Sequence, residues 1–399
     1  MKYIIILTDG AADYPCEKLG GKTPLDVAEK PYMDYFANHG ELFLVKTVPD
    51  GLKPGSDVAN LSVFGYDPKI YYTGRSPLEA ASIGVNLGDN DVSFRANLVT
   101  LSDEENYEDK TMVDYSSDEI STGEADILIK DLSKFLNLKN YSLYTGVSYR
   151  HLLVKENAAE FTYELIPPHD ISDKKIKEYL PNDVEILDIM KRSHEFLKNH
   201  PVNIKRRKAG LHEANSLWVW GDGKKPGIPK FFDKYRIKGA VISAVDLIKG
   251  IGKLSGMEVI EVEGATGNIN TNFEGKAKAA IDALDSGFDL VYLHIEAPDE
   301  CGHRGEVENK IKSIQLIDLL VIKYIKEKLD KSNEDYKIMV LPDHPTPLNL
   351  KTHTGDPVPC VIYKKWDYGN FGYKFSEEDA KKANAILNQG HLLMDKFLG

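Results

Sequence analysis

The sequence has 399 residues with 50 basic and 62 acidic side chains, and its net charge of −12 argues against a nucleic-acid-binding surface. Its 42% hydrophobic residues suffice for a large core in two or three domains, and no apolar run approaches the ~20 residues of a membrane span. The three cysteines, Cys16, Cys301 and Cys360, form no disulfide framework and suit a reducing cytoplasm.

The chain opens on a short apolar run, residues 2–7, that predicts a first buried strand. The run is too short for a signal peptide and leads directly into Thr8-Asp9-Gly10. Asp9 therefore follows the end of a strand, where open α/β sheets bind their ligands. An Asp-Gly pair after a strand is also a common turn, so Asp9 taken by itself could simply be a turn residue. Further on, residues 23–40 have the spacing of a helix interrupted near Pro31, and residues 42–48 predict a second strand.

Ser56 stands at the start of a predicted short helix. Pro54-Gly55 interrupts the chain, and residues 57–64 have helical spacing. As a plain helix N-cap Ser56 needs no further role. The same position faces free backbone N–H groups that can bind a phosphate, and near a divalent metal its hydroxyl could attack phosphorus. Other hydroxyl residues lack this combination of a preceding glycine and a helix start: Thr23, Ser62 and Ser76.

Residues 110–205 differ in character from the rest of the chain. They predict a helix over residues 121–136, short strands near residues 141 and 151–154, and a helical region rich in acids and lysines. We therefore expect an inserted α+β domain at 110–205, with residues 1–109 and 206–399 forming the core. Arg150 and His151 lie in this segment, and a guanidinium suits a phosphate or a carboxylate as well as a surface ion pair.

After this segment the alternation of strands and helices returns. Strands are predicted at residues 216–220, 239–243 and 257–261, and helices at 245–250, 273–284, 307–328 and 380–398. Lys249 and Lys253 are candidate phosphate contacts, of which we favour Lys249, although either can be a solvated helix lysine.

Two buried strands, residues 288–295 and 337–342, each lead into a carboxylate and an imidazole. The residues concerned, with a third imidazole from the turn-rich loop that follows, are Asp299 and His303, Asp343 and His344, and His353. Taken singly, each histidine can be an ordinary loop or core histidine. Together they form the ligand set of a divalent metal such as Zn²⁺ or Mn²⁺, so we predict a metal site at this edge of the sheet, with Asp299 in a loop after its strand.

Several segments of the chain, taken together, resemble those of one known superfamily. They are Thr-Asp-Gly at 8–10, Pro-Gly-Ser-Asp-Val-Ala-Asn at 54–60, Tyr-Thr-Gly-Arg-Ser-Pro-Leu-Glu-Ala at 72–80, Phe-Arg-Ala-Asn-Leu-Val-Thr at 94–100, Gly-Val-Ser-Tyr-Arg-His at 146–151, Asn-Ser-Leu-Trp-Val-Trp-Gly at 215–221, and the Asp and His pairs above. With these the chain resembles the alkaline phosphatase superfamily, and more closely its archaeal-type branch of cofactor-independent phosphoglycerate mutases. The likeness runs almost from end to end.

The resemblance implies an alkaline phosphatase-like α/β core, in which helices flank a central and mostly parallel sheet, plus an inserted domain that covers the site. It also implies two divalent ions, Mn²⁺, Zn²⁺ or Mg²⁺, and no need for 2,3-bisphosphoglycerate. One ion would be held by Asp9, Ser56, Asp343 and His344, and the other by Asp299, His303 and His353.

In this reading Ser56 would take the phosphoryl group from 3-phosphoglycerate as a phosphoserine and return it to the 2-hydroxyl, a step of glycolysis and gluconeogenesis. Arg150, His151 and Lys249 are then the candidate contacts of this small phosphorylated substrate.

Two other functions stay open. Members of the same branch have been labelled proposed homoserine kinases, but the sequence contains no Gly-x4-Gly-Lys-Ser/Thr motif. A phosphomonoesterase or a non-catalytic metal-binding protein would use the same residues. The sequence carries no signal for an oligomeric state.

Overall fold

A computed structural model describes residues 1–158, 162–366 and 369–399. The chain divides into two compact units. The first unit combines Met1–Tyr72 with Gly227–Gly399, and the second unit is Thr73–Pro226. Within the described residues no helix is both long enough and apolar enough to cross a membrane.

The strands are β1 (Lys2–Thr8), β2 (Glu41–Val45), β3 (Val92–Leu101), β4 (Met112–Asp114), β5 (Tyr141–Tyr144), β6 (Arg150–Lys155), β7 (Ser216–Lys224), β8 (Gly239–Ile242), β9 (Glu258–Val259), β10 (Leu290–Ile295), β11 (Tyr336–Leu341), β12 (Val358–Lys364) and β13 (Ile386–Leu387). The α-helices are α1 (Pro24–Val27), α2 (Pro31–His39), α3 (Ser56–Val63), α4 (Pro68–Tyr71), α5 (Ser76–Ser82), α6 (Thr122–Leu136), α7 (Val184–Leu197), α8 (Pro201–Lys208), α9 (Phe231–Tyr235), α10 (Asp246–Leu254), α11 (Phe273–Asp285), α12 (Ala297–Arg304), α13 (Val307–Leu316), α14 (Lys323–Lys331), α15 (Glu377–Lys382) and α16 (Leu393–Leu398).

The first unit is built on an eight-stranded sheet in the order β13-β2-β12-β11-β1-β10-β8-β9. Strand β1 runs parallel to both β10 and β11, and β10 runs parallel to β8. Strand β12 is antiparallel to its neighbours β11 and β2. The predicted α/β class with a mostly parallel sheet is therefore confirmed. The central strands are almost fully buried, as expected for a sheet with helices on both faces.

The second unit is an antiparallel sheet packed with helices. Strand β3 pairs with β4, β6 and β7, and β5 pairs with β6. Its apolar core includes residues of α6 and α7. This unit extends beyond the predicted insertion of 110–205 at both ends, because β3 and β7, which flank that segment in sequence, belong to the same sheet.

Two predicted helices differ in the structure. The apolar spacing of residues 307–328 is realised as α13 and α14 joined by a π-helical turn at Ile317–Ile322. The prediction of one closing helix over residues 380–398 is wrong. This segment contains the end of α15, the short strand β13 that pairs with β2, and α16. Asn384 has a φ of 53°, a left-handed conformation that ends helical structure before the strand.

Candidate metal centre

Three carboxylates meet at one edge of the large sheet. Asp9 follows β1, Asp343 follows β11, and Asp299 lies in the first turn of α12, directly after β10. These three strands are adjacent and parallel, so their carboxyl ends lie at the same edge. All three carboxylates are at most 5% exposed.

The ring of His344 lies at the centre of one group of polar side chains. Its Nε2 atom is 3.0 Å from Oγ of Ser56, 3.4 Å from Oδ2 of Asp343 and 3.7 Å from Oδ1 of Asp9. His344 is fully buried, and burial lowers its pKa, so the ring is neutral with a lone pair available to a metal or a proton.

The second group consists of Asp299, His303 and His353. The Nε2 atoms of the two histidines are 2.8 Å apart and lie 3.2 and 3.4 Å from the carboxylate oxygens of Asp299. Asp299 was predicted to lie in a loop, but these residues form helix α12. In this helix Asp299 and His303 are four residues apart and therefore lie on one face. His303 Nδ1 lies 3.0 Å from the carbonyl of Lys351, which orients its ring.

The buried carboxylates at this edge favour the binding of a cation. Burial, together with the charges of Asp343 and Asp299, raises the pKa of Asp9 well above its usual value. The ion-pair partners of the three carboxylates in the described residues are all histidines. Oδ1 of Asp9 is buried and has no hydrogen-bond partner among these residues. Buried carboxylates and imidazole nitrogens at these distances suit divalent metal ions.

Helix α3 begins at Ser56 itself, and Gly55 is its N-cap. Ser56 is therefore the first helical residue, and the predicted N-cap role is wrong. The described residues give this helix no side-chain cap hydrogen bond, and the hydroxyl of Ser56 lies 3.0 Å from Nε2 of His344. One turn later, the amide of Asn60 donates to the Ser56 carbonyl at 2.7 Å and to Oδ2 of Asp343 at 2.8 Å. Tyr292 donates its O–H to the Asn60 oxygen at 2.6 Å.

Four buried residues of this centre were not predicted from the sequence: Asn60, Tyr292, His294 and Thr346. His294 Nε2 is 3.0 Å from Oδ2 of Asp9, and burial lowers its pKa to about 3. A signal was present in β10, because Tyr292 and His294 alternate with apolar residues and so share one face of the strand. No comparable pattern marks Asn60 or Thr346, whose partners come from distant parts of the chain.

Of the three predicted substrate contacts, one lies in the first unit and two lie in the second unit. Lys249, in α10 of the first unit, forms an ion pair with Glu261 at 2.8 Å. In the second unit, Arg150 has its guanidinium 5.7 Å from the ring centre of Tyr149. His151 is buried, and its Nδ1 accepts the Gly146 N–H at 3.1 Å. Burial lowers the pKa of His151 to about 3, and its Nε2 has no partner in the described residues.

Arginines gather in the second unit in a way that sequence analysis did not anticipate. Burial lowers the pKa of Arg95, and the charges of Arg75 and Arg150 lower it further. Glu79 offsets part of this charge by accepting from the Nε atoms of Arg95 and Arg75 at 3.0 and 3.1 Å. The positive charge that acts on Arg95 favours the binding of an anion.

Two known proteins that are similar to this chain share one family description. A family model described as 2,3-bisphosphoglycerate-independent phosphoglycerate mutase matches residues 37–203. A relative from Methanosarcina barkeri with that name is 50% identical over 392 residues, covering 97% of this chain and 96% of the relative. A probable enzyme of the same name from Geobacter sulfurreducens is 48% identical over the full length of both chains.

Two solved structures are similar over the whole chain. The PH0037 protein of Pyrococcus horikoshii has a TM-score of 0.82 at 31% identity and covers 100% of this chain and 96% of its own. The cofactor-independent phosphoglycerate mutase of Thermoplasma acidophilum has a TM-score of 0.65 at 27% identity, with 100% of both chains covered.

Proposed function

The chain belongs to the family of 2,3-bisphosphoglycerate-independent phosphoglycerate mutases, isomerases that interconvert 3-phosphoglycerate and 2-phosphoglycerate, and we propose that it does so through a phosphoserine at Ser56. One observation carries this proposal: Oγ of Ser56 lies 3.0 Å from Nε2 of His344, beside the buried carboxylates. A hydroxyl in this setting is placed to become a nucleophile.

The reaction has two balanced halves. In the first, Ser56 loses its hydroxyl proton and Oγ bonds to phosphorus, while the bond from phosphorus to O3 of glycerate breaks and O3 gains a proton. In the second, the 2-hydroxyl of the same glycerate loses its proton and bonds to phosphorus, and Ser56 leaves and regains a proton. No phosphate passes to water, so the reaction is an isomerisation.

We propose that two divalent ions, Mn²⁺, Zn²⁺ or Mg²⁺, bind here. Asp9, Ser56, Asp343 and His344 would hold one, and Asp299, His303 and His353 would hold the other. Such ions lower the pKa of a bound hydroxyl and stabilise the negative charge on the transferring phosphoryl group. Potential ligand atoms within 4.8 Å of one another also combine differently, as Asp299 with His344 and His353, and as Asp9 with His294 and Asp343. His294 lies 3.0 Å from Asp9, and we assign it to the support of Asp9.

The substrate also requires cations for its carboxylate and phosphate. We propose Arg150 and Lys249 for this role, with Arg95 and Arg75 as further candidates, and we propose His151, whose buried ring is neutral, as a hydrogen-bonding contact. Loss of such a contact should raise KM more than it lowers kcat, because it removes binding in the ground state as well. The free thiols Cys16, Cys301 and Cys360 favour a cytoplasmic location for this enzyme of glycolysis.

The test is product formation from 3-phosphoglycerate with Mn²⁺ and without 2,3-bisphosphoglycerate, followed by ³¹P NMR. We expect 2-phosphoglycerate and no inorganic phosphate. A parallel reaction contains ATP and homoserine in place of 3-phosphoglycerate. Phosphohomoserine alone would replace the mutase assignment by a kinase, and inorganic phosphate alone would replace it by a phosphatase.

A further inference from the structure

We propose that Thr346 is a positioning residue that joins the two metal-ligand groups and directs the lone pair of His344 toward Ser56. The direction toward a nucleophile rests on the proposed function, whereas the link between the two groups does not. Thr346 lies two residues after His344 and is fully buried.

A single hydroxyl contacts one ligand from each group. Oγ1 of Thr346 donates its proton to Oδ1 of Asp299, which belongs to the second group. The same oxygen lies 3.3 Å from Nδ1 of His344, which belongs to the first group. Thr346 is thus a direct bridge between the two groups.

The single hydroxyl proton of Thr346 determines which ring nitrogen of His344 is protonated. A threonine hydroxyl has one proton, and here it is used on the carboxylate of Asp299. The oxygen can therefore only accept from the ring of His344, so Nδ1 must carry the ring proton. Nε2 is then unprotonated and presents its lone pair to Ser56, 3.0 Å away. Without the hydroxyl of Thr346, the carboxylates of Asp343 and Asp9, 3.4 and 3.7 Å from Nε2, would favour the proton on that nitrogen instead.

The backbone of Thr346 is held in place by a buried lysine. Nζ of Lys310 donates to the carbonyl of Thr346 at 2.8 Å and forms an ion pair with Asp13 at 2.6 Å. The N–H of Thr346 in turn donates to the carbonyl of Ala12 at 3.2 Å. Lys310 is completely buried, so these contacts are shielded from solvent. A hydroxyl on this backbone has little freedom to move away from its two partners.

The first experiment compares Thr346→Val with Thr346→Ser by titration with Mn²⁺, using the EPR signal of free Mn²⁺ and no substrate. Valine has the shape of threonine without its hydroxyl, whereas serine keeps the hydroxyl. We expect Thr346→Val to weaken both binding steps by about 10–100-fold, the usual cost of losing a group that orients metal ligands. Thr346→Ser should bind Mn²⁺ within about threefold of the wild type. Wild-type affinity in Thr346→Val, or weakening of one step alone, would refute the link.

Thr23 provides a matched control. Its buried hydroxyl also donates to a carboxylate, Glu377 at 2.7 Å, and accepts an N–H, that of Asp26 at 3.2 Å. Thr23→Val should lower the unfolding temperature and leave Mn²⁺ affinity unchanged. If it weakened Mn²⁺ binding as much as Thr346→Val, the effect would be one of general stability and the proposal would fail.

A second measurement uses the wild-type protein and does not depend on the folding of a variant. In ¹⁵N-histidine-labelled, metal-free protein, the nitrogen shifts of His344, assigned with His344→Gln, report which ring nitrogen is protonated. We expect the proton on Nδ1, and a proton on Nε2 would overturn the inference. Neither experiment uses substrate, so failure of the mutase assay alone would remove the nucleophile from this proposal and leave the link and the protonation of Nδ1 standing.

Discussion

Oγ of Ser56 lies 3.0 Å from Nε2 of His344, although the two residues are 288 positions apart in the chain. Helix α3 supplies the hydroxyl and the segment after β11 supplies the imidazole. Asn60 connects the same two elements, because its amide donates both to Ser56 and to Asp343. The predicted nucleophile is therefore held against the metal-ligand groups by side chains that are themselves buried.

Ser56→Ala should abolish phosphoryl transfer while leaving metal binding largely intact. It removes the nucleophile and one of several ligands, so we expect kcat to fall at least about 10³-fold. The measurements are 2-phosphoglycerate production and metal content. Ser62→Ala is the control, since Ser62 lies in the same helix with a buried hydroxyl that has no partner in the described residues. Near-normal turnover in Ser56→Ala would exclude a phosphoserine at this position.

Asp9→Asn should stabilise the metal-free protein and weaken the effect of metal. Burial and the charges of Asp343 and Asp299 raise the pKa of Asp9, so its ionised form is disfavoured in the folded state without metal. In EDTA at pH 8 the variant should unfold at a higher temperature than the wild type. Mn²⁺ at 100 times its Kd should stabilise the wild type by about 2.7 kcal/mol and the variant by less. Equal stabilisation of the wild type and the variant by Mn²⁺ would show that Asp9 is not a metal ligand.

Gly10→Ala should disturb Asp299 directly. Gly10 has a φ of +62°, and a Cβ there would lie 2.6 Å from Oδ1 of Asp299. Gly20 is a close control, with a φ of +65° and open space around its Cβ position. Both variants incur the backbone strain of about 1 kcal/mol, but only Gly10→Ala should weaken Mn²⁺ binding, by about tenfold or more. Equal Mn²⁺ affinities in the two variants would show that the close contact has no effect on the site.

The second unit should lose stability as the pH falls from about 6.5 toward 4. Burial lowers the pKa of His194 from 6.5 to about 4, and its Nδ1 lies 2.9 Å from the carbonyl of Asn215. In this pH range the unfolded chain takes up a proton that the folded unit does not, so unfolding is favoured, by up to about 2 kcal/mol. His194→Gln should reduce this dependence, and His151, whose pKa burial lowers to about 3, should account for part of what remains.

Urea unfolding at several pH values tests this prediction. The chain has three tryptophans, and in a Trp366→Phe background the fluorescence comes from Trp218 and Trp220, both in β7 of the second unit. An unchanged pH profile in His194→Gln would show that other groups control the acid response.

The local sequence determined the strands, the carboxylates that follow them and the helix at Ser56. Apolar runs such as those of β1, β10 and β11 can only be buried, and a residue within the few positions after such a run lies near the edge of a parallel sheet. Asp9, Asp299 and Asp343 were predictable for this reason.

Tertiary structure decided the contacts that orient these residues. Thr346 reaches Asp299 and Asn60 reaches Asp343 across 47 and 283 positions of the chain, and no local pattern distinguishes such a residue from an ordinary buried threonine or asparagine. Residues 380–398 also depended on tertiary structure, because β13 is a strand only through its pairing with β2. Local periodicity specifies which face of an element is buried, whereas the partner of a buried polar group is specified only by the packing of distant elements.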